Sequence, residues 1–128
     1  MKYLGIDYGQ KRIGVAISDE DGKIAFPKET IENIDEEESI SKLQKLAERE
    51  KIEKIVVGLP VSFSGEKNPQ SEKVQIFAEK LFEIAKFPVE FENEILTTKL
   101  AAKGSTKKNI DASSAALILQ SYLDKISH

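Results

Sequence analysis

The stretch Gly5-Ile6-Asp7-Tyr8-Gly9-Gln10-Lys11-Arg12-Ile13-Gly14-Val15-Ala16-Ile17-Ser18-Asp19 decides how this chain is read. Lys2 to Ile6 reads as a strand that ends at Asp7, an acid with Gly5 and Gly9 close by in sequence. Tyr8 to Lys11 supplies a tight turn in which Gly9 is free to take positive φ. Arg12 to Ser18 alternates, which puts Ile13, Val15 and Ile17 on one face of a second strand. Asp21-Gly22 then signals a hairpin turn into a third strand over Lys23 to Phe26. Three strands joined by short turns make an antiparallel meander.

Beyond residue 30 the period changes. Asp35 is placed to cap a helix whose first turn holds Glu36, Glu37 and Glu38, with Ile40, Leu43, Leu46 and Ala47 as its apolar stripe. Lys54 to Leu59 is a short apolar run of the kind buried on both faces of a parallel sheet, followed by a loop from Pro60 to Lys67. Asn68 and Pro69 open a second helix with the stripe Val74, Phe77, Ala78, Leu81, Ile84 and Ala85. A strand over Val89 to Asn93 follows, then a short helix over Thr97 to Lys103. The last helix is expected over Asp111 to Lys125, packing through Ala112, Ala115, Ala116, Leu119 and Leu123. The order predicts an α/β fold with helices flanking a mixed five-stranded sheet, three antiparallel strands followed by parallel crossovers.

At 128 residues and 14.3 kDa, the length suits a single domain over residues 1–128. A hydrophobic share of 40% beside 32% charged residues argues against both disorder and a membrane protein. The longest uncharged stretch, Ala112 to Leu123, is too short to span a bilayer, and Asp7 leaves no room for an apolar signal-peptide core. The expected location is the cytoplasm. With no cysteine, disulfides, thiolate nucleophiles and the common zinc sites drop out. The only histidine, His128, is the last residue, which argues against a Ser-His-Asp triad. Catalysis would fall to carboxylates, hydroxyls, lysines and oxygen-loving metal ions. The net charge of −3 is unevenly spread, since Thr98 to His128 holds five lysines against two acids.

A two-metal phosphodiesterase site needs several carboxylates around one point, holding ions roughly 3.5–4 Å apart. Asp7 ends the first strand, Glu94 ends the last and Asp111 begins the final helix. If the first and last strands are neighbours, Asp7 and Glu94 lie side by side at one sheet edge. Asp111 precedes Ala115 by four residues on the same helical stripe, and the small residues after it would let that helix approach the sheet. Each acid has a plainer reading: Asp7 as a turn-former, Glu94 as an exposed strand end, Asp111 as an N-cap. Lys11 and Arg12 either solvate a hairpin or contact phosphate. The same choice holds for Lys103, Lys107 and Lys108, in the loop around Gly104-Ser105-Thr106.

The element order, with an acid ending the first strand, resembles the RNase H-like fold. The block from Gly5 to Asp19 resembles the opening motif of the YqgF or RuvX family, Holliday-junction-resolvase-like proteins regarded as pre-16S rRNA nucleases. Further blocks follow in order: Val57-Gly58-Leu59-Pro60, Leu96-Thr97-Thr98, and Asp111-Ala112-Ser113-Ser114-Ala115-Ala116. The resemblance implies an RNase H-like nuclease that hydrolyses phosphodiester bonds with Mg²⁺ or Mn²⁺. RNA is the favoured substrate, at the 5′ end of pre-16S rRNA, with branched DNA as the alternative. In that reading Asp7, Glu94 and Asp111 are catalytic and metal-binding, while Lys11, Arg12, Lys103, Lys107 and Lys108 contact nucleic acid. Monomer and homodimer both fit. Where the family has Asp-Glu-Arg, this chain has Asn93-Glu94-Ile95, which predicts weaker metal binding. Two other classes remain. Gly-Ile-Asp-x-Gly also resembles the phosphate-gripping turn of the actin and sugar-kinase ATPases, although those pair two such domains and this chain has one such motif. A non-catalytic RNA-binding assembly module with a weakened site is the other.

Overall fold

The computed structural model describes residues 1–61, 68–95 and 107–127, and the side chains of all of these except 61, 94, 95 and 107–110. The meander is present: β1 (Tyr3–Asp7) pairs antiparallel with β2 (Arg12–Ser18), and β2 with β3 (Ala25–Glu32). Gly22 turns the hairpin at φ +69°, while the Asp19 carboxylate accepts from the Lys23 and Ile24 amides at 2.8 and 3.1 Å. Gly9 does not take the positive φ expected of it. Its missing side chain serves a close approach instead, since a Cβ there would lie 2.5 Å from the Arg12 carbonyl oxygen.

β3 begins two residues later than the sequence suggests and runs to Glu32. Pro27, Lys28 and Glu29 read as a strand terminator, but β3 is an edge strand, where a proline costs no ladder bond and charges face water. The ladder slips at Val15/Ala16, beside Pro27.

α1 (Glu36–Arg49) carries the expected Asp35 cap and α2 (Pro69–Ala85) the expected Asn68 cap, closed into a capping box with Ser71. The stripe of α2 is buried except for Ile84, which is 48% exposed. β4 (Lys54–Val61) and β5 (Val89–Ile95) are both parallel additions, giving the order β3-β2-β1-β4-β5. The expected pairing of first and last strands is therefore corrected: β4 lies between β1 and β5, because the crossover through α1 carries the chain from the β3 edge to the free side of β1 and the one through α2 lays β5 beside β4. The last helix, α3 (Lys107–Ile126), starts four residues earlier than predicted. Lys107 and Lys108 belong to its first turn, not to a loop, and Asp111 is not its N-cap. The short helix expected over Thr97 to Lys103 lies outside the described residues, as does most of the expected Pro60 to Lys67 loop.

The sheet separates two cores. On one face Leu4, Ile6, Val15 and Ile55 pack against Leu43 of α1 and Phe77 of α2. On the other, Tyr3, Ala16 and Val56 pack against Ala115, Leu119 and Leu123 of α3. The second contact is close because two strand residues have no side chain. A Cβ on Gly5 would lie 2.7 Å from Leu119 Cβ, and one on Gly14 would lie 2.0 Å from the Asp111 carbonyl oxygen.

Candidate nuclease site

Asp7 is the last residue of β1 and stands opposite Gly14 of β2. Its side chain is 4% exposed, and it has interaction partners in the fold. Asp111 comes to the same place from the other end of the sequence. The α3 backbone at Asp111 and Ala112 rests on Gly14, so the residue opposite Asp7 is also the residue that seats Asp111. Backbone register thus brings Asp7 and Asp111 to either side of Gly14, which, with the small residues of α3, is the seat of that helix.

Glu94 follows a different path. Its backbone pairs with Pro60 at the end of β5, and its side chain lies outside the described residues. Two strand spacings, roughly 10 Å, separate β5 from β1. Residues 90, 92 and 94 share one sheet face by alternation, the face that α3 covers. Glu90 accepts from the Tyr122 hydroxyl, and Glu92, 4% exposed, accepts from Ser121 Oγ at 2.8 Å and Lys125 Nζ at 2.7 Å. These two acids are used in fastening α3 to the edge strand. Asn93 pairs with Leu59 and belongs to the opposite face, away from Asp7. Among the described residues, no group of three or more acidic, His or Cys side chains is arranged to hold a metal.

The Asp111 carboxylate accepts from Arg12 Nε at 3.1 Å, the two side chains being 24% and 31% exposed. This contact spans 99 residues of sequence, and no local pattern announces it. Arg12 and Asp111 line a cleft of about 720 Å³ whose described lining also includes Lys11, Tyr8, the cap residue Asn68 and, from α2, Lys73. Among the described lining residues, three side chains are cationic and one is anionic. Lys73 is an addition to the basic residues expected from sequence. Lys103 is outside the described residues, and only the helical backbone of Lys107 and Lys108 is described.

The turn from Tyr8 to Lys11 is held from behind. Asn33 donates through its backbone to the Lys11 carbonyl at 2.8 Å and through Nδ2 to the Gly9 carbonyl at 3.1 Å. Ser39 of α1 fixes the Asn33 amide with a 2.8 Å bond to its Oδ1. The Tyr8 ring stacks on Phe77 with centroids 4.3 Å apart, and its hydroxyl donates to Glu36 at 2.7 Å. Burial, then the Glu36 hydrogen bond and charge, push the Tyr8 phenol up to about 12. Tyr8 thus remains a neutral donor at neutral pH and is no general base. Sequence reading missed Asn33, Ser39 and Glu36 as supports of this turn, because each acts through a contact more than twenty residues away or through a partner that itself does so.

A family model described as RuvX: Holliday junction resolvase matches residues 1–125. A protein of Caldanaerobacter subterraneus subsp. tengcongensis named "Putative pre-16S rRNA nuclease" is 42% identical over 134 residues, covering 97% of this chain and 96% of its own length. One of the same name from Clostridium kluyveri is 40% identical over 136 residues, with 99% of each chain covered. Among solved structures, T. thermophilus RuvC in complex with a Holliday junction substrate superposes with a TM-score of 0.60 at 15% identity, covering 99% of this chain and 96% of that one. The resolvase of fowlpox virus, in complex with Holliday junction DNA, gives 0.57 at 14% identity, with 100% of each chain covered. At such identities these structures bear on the fold, which is that of the RuvC-type resolvases. The sequence blocks in order, the sheet topology and the match from residue 1 to residue 125 agree: this chain belongs to the RuvX family.

Proposed function

We propose that the chain is a single-domain, divalent-metal-dependent nuclease that hydrolyses phosphodiester bonds in structured nucleic acid, with the 5′ end of pre-16S rRNA as its substrate. The observation that carries this reading is Gly14, which stands opposite the buried Asp7 and seats the backbone of Asp111, the acid that lines a cleft beside Lys11, Arg12 and Lys73. The names of the relatives in Caldanaerobacter and Clostridium support the substrate.

The donor chemistry suits a hard cation. Asp7 and Asp111 offer oxygen alone, and the Arg12 guanidinium already sets a positive charge against Asp111. Asp7, Asp111 and Glu94 would hold Mg²⁺ or Mn²⁺, which when bound would supply an activated water and neutralise charge on the scissile phosphate. The chain's own contribution is placement. Asp7 is fixed by β1 and Asp111 by the seating of α3, so neither carboxylate must be ordered when substrate arrives. Lys11, Arg12 and Lys73, with Lys103, Lys107 and Lys108, would neutralise flanking phosphates. The Tyr8 to Lys11 turn, braced by Asn33, keeps the first two in position.

The test is cleavage of a 16S precursor stem and of a four-way DNA junction under Mg²⁺ and Mn²⁺ titration, with wild type beside Asp7→Asn. Wild type should cut the RNA. Hydrolysis should vanish in the variant, while its melting temperature in chelator holds or rises because a buried charge has been removed. Wild-type cleavage by Asp7→Asn would remove this residue from the site. A second reading, junction resolution, is favoured by the fold shared with RuvC, and preferential cutting of the DNA junction would select it.

A further inference from the structure

We propose that Arg12 is an exchangeable counterion: it occupies Asp111 in the metal-free protein and moves to a nucleic-acid phosphate when a divalent ion takes its place. The proposal rests on the reading of Asp111 as a metal ligand and adds what that reading lacks, a link between metal and substrate binding.

Four observations lead to it. The pair is a single 3.1 Å contact through Nε, partly open to water on both sides. Such a pair, screened by water, is weak enough to be displaced. The Asp111 backbone cannot follow a departing partner, because it lies on Gly14 with no space for even a methyl group between them. Arg12 can move, because its long side chain leaves the first residue of β2 beside the open cleft. Lys11 and Lys73 line the same cleft, so a phosphate drawn there meets Arg12 as soon as Asp111 releases it.

The consequence is thermodynamic coupling. A metal on Asp111 frees a phosphate-binding guanidinium, and a phosphate on Arg12 frees a metal-binding carboxylate. Each ligand then strengthens the other by the same factor.

The experiment reads binding, not turnover. Mn²⁺ affinity of the full chain without nucleic acid is measured for wild type, R12Q, R12K, K11Q and D111N. R12Q should bind Mn²⁺ about two- to five-fold more tightly than wild type, the range set by the strength of an exposed pair. R12K should fall between them, and K11Q should match wild type. Stem-loop RNA affinity, with and without Ca²⁺, should gain less from the ion in R12Q than in wild type. Equal tightening in R12Q and K11Q would reduce the effect to overall charge and overturn the exchange, as would an R12Q protein that binds Mn²⁺ no more tightly. If R12Q fails to fold, R12K against wild type tests the exchange with charge conserved, and K11Q remains the control for a lost charge. D111N should bind Mn²⁺ more weakly. Undiminished affinity there would overturn the ligand assignment itself, a separate failure from that of Arg12.

Discussion

On the face of the sheet covered by α1 and α2, the strands offer Leu4, Ile6, Ile13, Val15 and Val57, all fully buried under Leu43, Phe77 and Leu81. On the face covered by α3, the same strands offer Gly5, Asp7, Arg12 and Gly14, and the edge strand offers Glu90 and Glu92. One face excludes water through bulk. The other brings a helix backbone close by omitting side chains and then fastens it with carboxylates. The bulkier apolar side chains are concentrated on the first, and the candidate site residues Asp7, Arg12 and Asp111 on the second. The division is possible because a strand sends alternate residues to opposite sides, so the same short segments serve both ends.

The largest effect that separates the faces should come from Phe77→Ala. Truncating a fully buried ring should cost about 3–5 kcal/mol in urea unfolding. Gly14→Ala should cost less, about 1–3 kcal/mol, since its Cβ must push α3 away. It should nevertheless weaken Mn²⁺ binding more than Phe77→Ala does, because the backbone it displaces carries Asp111. If the two variants lose metal affinity in proportion to stability, the faces are not functionally distinct.

A smaller effect is expected from replacing Lys103, Lys107 and Lys108 together with Ala. If they touch phosphates, the plot of log RNA affinity against log salt should flatten by about 0.7 for each single-strand phosphate no longer neutralised. An unchanged slope would confine the nucleic-acid surface to the cleft beside Lys11 and Lys73. The smallest effect should come from Asn93→Asp. Asn93 lies on the Leu59 side of β5, so restoring a carboxylate there should change the metal concentration for half-maximal cleavage by less than about twofold, below what an exposed charge pair contributes. A larger drop would mean that β5 turns over at its end and presents position 93 to Asp7.

The legibility of the chain followed the range of the forces involved. β2 was readable to the residue because alternation is local, and α2 because Asn68, Pro69 and Ser71 form a cap within four positions. The end of β3 was hidden because Pro27, Lys28 and Glu29 are poor strand residues that an edge accepts. The first turn of α3 was hidden because Lys107 to Ile110 precede its apolar stripe. Strand order was hidden entirely, since no residue in β4 states which neighbour it will take. The same limit applied at the site. Asp7 and Asp111 could be named from sequence, but the glycine that unites them and the arginine that pairs with one of them act across the fold.

The bond from Tyr8 to Glu36 sets an alkaline limit on this molecule. The phenol is held as a proton donor to a carboxylate, so its folded pKa of about 12 stands above the ordinary 10. The stability this contributes is whole below pH 10 and drains away as pH rises toward 12, when a phenolate would face Glu36. Tyr8→Phe gives up the hydrogen bond at every pH but should flatten the decline in melting temperature above about pH 10. Strong base should therefore loosen the chain first where the Tyr8 to Lys11 turn leans on α1, well before the apolar core behind it gives way.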